Sequence, residues 1–211
     1  MRISEPTTMI TDYLVAGLAV YFWWQLMVDS VDRQVRSGRW WSFAFLATAV
    51  GAIAGGTSHG FAIQLGDSGW LVLWKATVYA LAVASLCLLL ASFHSAFRGR
   101  LLPTMIILAW VKFVLYALFM VSENDFDYVI YDYGSAMIVV LLLATWSWVR
   151  HRSAAGPWIL AGILVSFAAS QIQMSGWGLH RHFNHNDIFH VVQMLSLYLL
   201  YRGGLELTDA A

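Results

Sequence analysis

Eleven residues, His180-Arg181-His182-Phe183-Asn184-His185-Asn186-Asp187-Ile188-Phe189-His190, hold four of the chain's seven histidines together with an aspartate. Imidazole and carboxylate side chains packed this densely suit zinc or another first-row divalent metal. An apolar run, Val191 to Tyr201, follows directly, so these candidate ligands sit at the mouth of an apolar helix. If Asn186 opens that helix, Asp187 and His190 lie three apart on one face. His185 then stands at the cap, free to fold back toward the same point. His180, Arg181 and His182 read as a polar loop beside the membrane. His190 lies inside the apolar run, where ionisable groups are rare and usually functional.

The elements that must position these groups are membrane helices. Hydrophobic residues make up 60% of the 211 and charged residues 11%, against about 25% charged in soluble domains. Apolar runs near the length of a membrane span, about 20 residues, occupy Met9–Val28, Trp40–Leu65, Trp70–Phe93, Leu101–Val121, Tyr128–Val149, Pro157–Ser175 and Asn186–Arg202. The expected fold is an all-α, polytopic membrane protein, with residues 1–211 forming one seven-helix transmembrane domain. The turn between the second and third spans is expected at Asp67-Ser68-Gly69. Twelve basic and twelve acidic residues give zero net charge, which argues against a nucleic-acid partner. The single cysteine, Cys87, has no internal disulfide partner and reads as packing. The N-terminus carries Glu5 and Asp12 and lacks the basic start of a cleavable signal.

Charge asymmetry orients the bundle. The first, third and fifth loops carry Arg33, Arg36, Arg39, Arg98, Arg100, Arg150 and Arg152, whereas the others carry only Arg181. The positive-inside rule then places the N-terminus outside and the C-terminus in the cytoplasm. This puts His59, His190, Lys75, Asp12, Asp132, Gln171 and Gln173 in one layer, in the outer half of the membrane. Unpaired polar groups in hydrocarbon cost several kcal/mol, so such a layer implies mutual pairing, an ion or a wet cavity.

A catalytic zinc takes three protein ligands and keeps one position for water. His59, His190 and His185 are the expected ligands, with Asp187 as the alternative third ligand, an orienting partner or a helix cap. The ion would bring the pKa of its water toward about 7. Ser58 is a candidate to hold that water, although a helix serine often bonds its own backbone. Lys75 is a candidate oxyanion donor, the competing reading being a salt bridge to Asp12 or Asp132. Lys112, deeper in the fourth run, has no partner legible in the sequence.

Seven helices, a histidine late in the second and Ile188-Phe189-His190-Val191 early in the seventh resemble the CREST superfamily of membrane hydrolases, which includes alkaline ceramidases and adiponectin-type receptors. Family members carry Ser-x-x-x-His, an aspartate near helix three and His-x-x-x-His. Here Gly55 stands at the serine position before His59, Lys75 lies in helix three, and Asn186 precedes His190 where the family has its first histidine. The resemblance implies a zinc-dependent hydrolase cleaving a lipid amide or ester with metal-bound water, fed sideways from the bilayer. Two other readings stand beside it. One is a non-enzymatic subunit that contacts another membrane protein or a second copy. The other is a b-type haem protein with His59 and His190 as axial ligands. The expected location is a bacterial inner or plasma membrane.

Overall fold

The computed structural model describes residues 3–180 and 182–210; Arg181, counted among the loop charges above, lies outside them. The described residues fold into six helices: α1 (Pro6–Asp32), α2 (Arg36–Ala96), α3 (Leu101–Phe119), α4 (Phe126–His151), α5 (Ala155–Ser175) and α6 (His185–Leu205). The fold is all-α, as expected. Among the described residues the sole β pairing is an isolated bridge between His180 and Phe183.

Local chemistry sets the helix ends. Pro6 occupies the first turn of α1, where a missing N–H costs nothing. The Asp125 carboxylate accepts from the Asp127 amide at 3.0 Å to open α4. Asn184 and Asp187 cap α6 reciprocally. The Asn184 side chain takes the Asn186 and Asp187 amides, and the Asp187 carboxylate accepts the Asn184 amide at 2.7 Å. Gly176, at φ 66°, ends α5.

Helix α2 spans 61 residues, which drawn straight would run about 90 Å, three times the hydrocarbon thickness. It is broken instead. Phe61 leaves helical geometry, and Gly66 takes φ 61° with ψ 179°, a region that only glycine enters cheaply. Beyond the break the chain doubles back, so that Gly51 abuts Leu81 and Thr77 while Gly55 abuts Thr77. The turn therefore falls at Phe61–Gly66, ahead of the expected Asp67-Ser68-Gly69, which begins the returning half. The reversal needs a left-handed residue, and Gly66 supplies it.

Five helices, α1 to α5, are long and apolar enough to cross a membrane. Helix α6 is the most polar of the six because it opens on His185, Asn186 and Asp187 and carries Gln193. Large apolar side chains cover the outside, including Trp24, Leu115, Leu118, Leu142 and Val149, as expected of a surface that meets lipid rather than water. In α3 only Ala109 is buried, and this helix packs mainly on α2 at the rim of the bundle, meeting α4 through Lys112 with Asp132 and Phe119 with Tyr128.

Helices α1, α2, α4, α5 and α6 pack in sequence around a ring that α1 closes against α6. Its core joins Phe22 and Leu26 of α1, Trp41 and Leu88 of α2, Met137 of α4, Ile163 of α5 and Leu200 of α6. The Trp41 indole N–H donates to the Leu200 carbonyl at 3.0 Å. Backbones approach closely where glycine permits it. A Cβ at Gly56 would lie 2.8 Å from Asp12 Cβ and 3.1 Å from the Tyr13 ring.

One end of the ring is tied off by the segment after α6. Arg33 donates to the Leu205 and Leu207 carbonyls. Asp209 accepts the amides of Arg36 and Ser37 at 2.9 and 2.7 Å, and the Ala210 amide donates to His94 at 2.9 Å. The opposite end holds a cavity.

Candidate functional site

The cavity has a volume of about 560 Å³ and is bounded by α1, α2, α4, α5 and α6. Asp12, His59 and His190 form its acid–base wall; Gln173, Gln193, Asn186 and Ser166 form an amide and hydroxyl wall. The rest is chiefly apolar and aromatic. Of the polar layer expected from the sequence, Asp12, His59, His190, Gln171 and Gln173 line this one space, whereas Lys75 and Asp132 do not.

At the centre is an Asp12–His190 pair. Nε2 of His190 lies 3.1 Å from Asp12 Oδ1, with the two side chains only 11% and 9% exposed. Nδ1 of His190 lies 2.9 Å from the Thr11 hydroxyl. Thr11 donates its one proton to the Thr8 carbonyl at 3.0 Å, so it accepts from His190 Nδ1–H. A neutral imidazole of that tautomer carries no proton on Nε2. The 3.1 Å contact to Asp12 then holds one proton between carboxylate and imidazole. Asp12 Oδ2 is buried with no partner. The small face of Gly56 lets α1 approach α2 closely enough to set Asp12 there.

A second acid–imidazole pair stands nearer the mouth. His59 Nδ1 lies 3.4 Å from Glu5 Oε2, with the Glu5 side chain 46% exposed. The Ser4 amide donates to the Gly60 carbonyl at 3.0 Å, fixing this stretch over α2. The His59 ring meets Trp74 edge-on at 6.3 Å. Glu5 is held below the ordinary carboxyl value by its bond from His59, which outweighs the upward push of burial.

The expected metal ligands are not drawn to one point. Among the described residues, no three His, Cys, Asp or Glu side chains are grouped to hold a metal ion. His190 has both ring nitrogens engaged, His59 faces Glu5, and His185 stands on the first turn of α6. The donor set His59, His185 and His190 therefore does not fit a zinc ion in this arrangement. Asp187 serves as the helix cap, one of the roles expected for it, with Oδ2 on the Asn184 amide and Oδ1 buried without a partner.

Ser58 bonds its own helix, donating to the Ala54 carbonyl at 2.9 Å. Lys75 caps the end of α3 by donating to the Met120, Val121 and Glu123 carbonyls. It forms neither the oxyanion site nor the salt bridges considered for it. Asp132 pairs instead with Lys112, at 2.5 Å, and Lys112 also reaches the Ser85 hydroxyl at 3.1 Å. His180 and His182 remain in the exposed loop before α6.

Three groups of this site escaped the sequence reading: Thr11, Glu5 and the direct pairing of Asp12 with His190. The available signal was a threonine–aspartate step at the start of an apolar helix, at the depth already assigned to His190. No curated protein and no solved structure matches the chain. A family model covers residues 7–209, and the chain belongs to that family, described as a family of unknown function (DUF6962).

Proposed function

We propose that the protein is a multi-pass membrane hydrolase that draws a lipid amide or ester into the cavity and cleaves it with water activated at the Asp12–His190 pair. The observation that carries this reading is the buried carboxylate–imidazole pair on the wall of a cavity large enough for part of an acyl chain. With the proton between them on His190, Asp12 is a carboxylate whose Oδ2 has no other partner. It takes a proton from water as the oxygen adds to the acyl carbon. The His190–Asp12 pair returns a proton to the departing amine or alkoxide when the tetrahedral intermediate collapses, giving a carboxylic acid and an amine or alcohol. Gln193, whose Oε1 accepts from Ser166 at 3.2 Å, keeps its amide N–H groups for the developing oxyanion.

In this reading the break in α2 makes seven passes of six helices. The arginine-bearing loops and the segment after α6 face the cytoplasm, and the cavity opens in the outer half. The CREST resemblance supports the same class of reaction through short motifs alone, and Asp12 takes the central place that its zinc ligands would hold. The non-enzymatic reading keeps one observation in its favour: a chain of contacts from Asp12 through His190 and Thr11 to the Thr8 carbonyl already ties α1 to α6.

The test is hydrolysis by purified protein in lipid nanodiscs, followed as fatty-acid release from long-chain N-acyl amides and esters. Asp12→Asn and His190→Ala should each lower kcat by about 10²–10⁴-fold, and His180→Ala should leave it unchanged. Absence of turnover from wild-type protein on every amide and ester would replace the hydrolase reading with the non-enzymatic one.

A further inference from the structure

The cavity has a charge character that hydrolysis alone does not require. Its wall contains the carboxylate of Asp12 and the imidazoles of His59 and His190, but no lysine or arginine among the described residues. The two lysines of the chain are both committed elsewhere, Lys75 to the carbonyls closing α3 and Lys112 to Asp132 and Ser85. Behind the wall stands Asp187, and at the mouth Glu5, both close enough to act electrostatically on His59. Two carboxylate oxygens in this cluster, Asp12 Oδ2 and Asp187 Oδ1, are buried without a partner. An anionic headgroup entering here would meet carboxyl oxygens that have no donor, and no lysine or arginine.

The remaining lining is aromatic. Trp74, Phe126, Tyr131, Tyr133, Phe167 and Phe189 come from four different helices and border the same space. Trp74 is itself stacked on Trp70, with centroids 5.4 Å apart, and tilted against Phe126 at 5.9 Å, so its ring is held in place. Aromatic walls around a carboxylate, with an apolar exit, are the recognition chemistry of an organic ammonium: the ring quadrupoles and the carboxylate both attract the cation, and the rings also bury its methyl or methylene groups. A hydrated inorganic ion gains nothing from the apolar wall.

We propose that the cavity is a binding site for amphiphiles with an ammonium headgroup, the head lodged against Asp12 and the aromatic rings and the tail leaving between helices toward lipid. The proposal rests on the cavity's being open to an amphiphile, as the hydrolase reading also requires, and it names the headgroup that reading leaves unspecified.

Radiolabelled dodecyltrimethylammonium is bound to the protein in neutral nanodiscs at pH 8 and displaced with unlabelled dodecanol or dodecyl sulfate, which share its chain length. The expected result is saturable binding, one per chain, with dodecanol and dodecyl sulfate at least tenfold poorer competitors than unlabelled dodecyltrimethylammonium. Asp12→Asn should weaken binding about tenfold. Because Asp12 also holds α1 to α6, Trp74→Leu serves as the second variant. It should weaken the ammonium probe several-fold in protein that remains folded at the binding temperature, as read by its helical circular dichroism. Equal competition by dodecanol, with saturable binding intact, would overturn the headgroup assignment and leave the amphiphile cavity standing. Failure of all three compounds to bind would overturn both. Wild-type affinity in both variants would place the bound ammonium elsewhere and overturn the assignment.

Discussion

His190 is the residue on which the site turns, and its behaviour depends on a neighbour that has no charge. The Thr11 hydroxyl fixes Nδ1 as the protonated nitrogen and thereby aims bare Nε2 at Asp12. Thr11→Val leaves a buried N–H unpaired, at a cost of about 1–3 kcal/mol. Thermal unfolding in one detergent should show that loss, whereas Thr11→Ser should melt like wild type. A Thr11→Val protein as stable as Thr11→Ser would mean that the threonine does not set the tautomer.

Glu5 offers a test by pH. Its carboxyl is held below the ordinary 4.5 by the bond from His59, so in the folded state it loses its proton more readily than when unfolded. The stability it contributes is complete above the unfolded value and disappears as pH falls through the folded one. Asp209 acts in the same direction: burial pushes its carboxyl up, but the amides of Ser37 and Arg36 outweigh this and hold it low. Melting temperature should therefore fall on acidification from about pH 5 to 3, and Glu5→Gln with Asp209→Asn should flatten that limb. An unchanged acid limb in the double variant would remove both groups from the account. Metal removal is the remaining check at this scale. Because no three ligand side chains converge among the described residues, dialysis against a chelator should leave the melting curve unmoved; a drop of several degrees would mean that a bound ion stabilises the fold.

At the scale of elements, depth was legible in the sequence and pairing was not. Asp12 and His190 were expected at one level because each lies early in its apolar run, and the starts of α1 and α6 do come together. Which side chain meets which depends on helix rotation, and runs apolar on nearly all faces carry little rotational information. The same ambiguity hid the Lys112–Asp132 pair and the turn of Lys75 toward the end of α3. The start of α6 was read late, with His185 at the cap and Asn186 opening the helix; the cap is Asn184, and the local signal for it is an aspartate three residues on, at Asp187. The break in α2 was read one turn late: Asp67-Ser68-Gly69 has turn composition, but the backbone reverses where Gly66 takes φ 61°. Gly66→Ala should destabilise by about 1–3 kcal/mol, while Gly17→Ala, with open space around it, should be neutral or slightly stabilising. Equal melting of the two variants would show that the reversal does not depend on glycine. Gly56 tests helix approach. Its Cβ would press on Asp12 at 2.8 Å, so Gly56→Leu should disturb the Asp12–His190 pair and lower any ligand affinity without replacing a titratable group.

At the scale of the molecule, seven passes and their orientation can be read with thiol labelling, because the native Cys87 is buried. Cysteines replacing the exposed Gln34, Gly99 and His151 should resist a membrane-impermeant reagent on intact cells. Those replacing Ser68 and Asn124 should react. The reverse pattern would turn the bundle over and place the cavity in the cytoplasmic half.

The ties made by Asp209 bear on the order in which such a bundle is completed. Asp209 leaves the ribosome 173 residues after the Arg36 amide it accepts, and Arg33 waits nearly as long for the Leu205 and Leu207 carbonyls. Until then the Arg36 and Ser37 amides at the junction between α1 and α2 lack the carboxylate that accepts them, and the Arg33 guanidinium has only Asp29, at 3.0 Å. A nascent chain stalled before that point would present these open amides to whatever surveys unfinished membrane proteins, and Asp209 would close them.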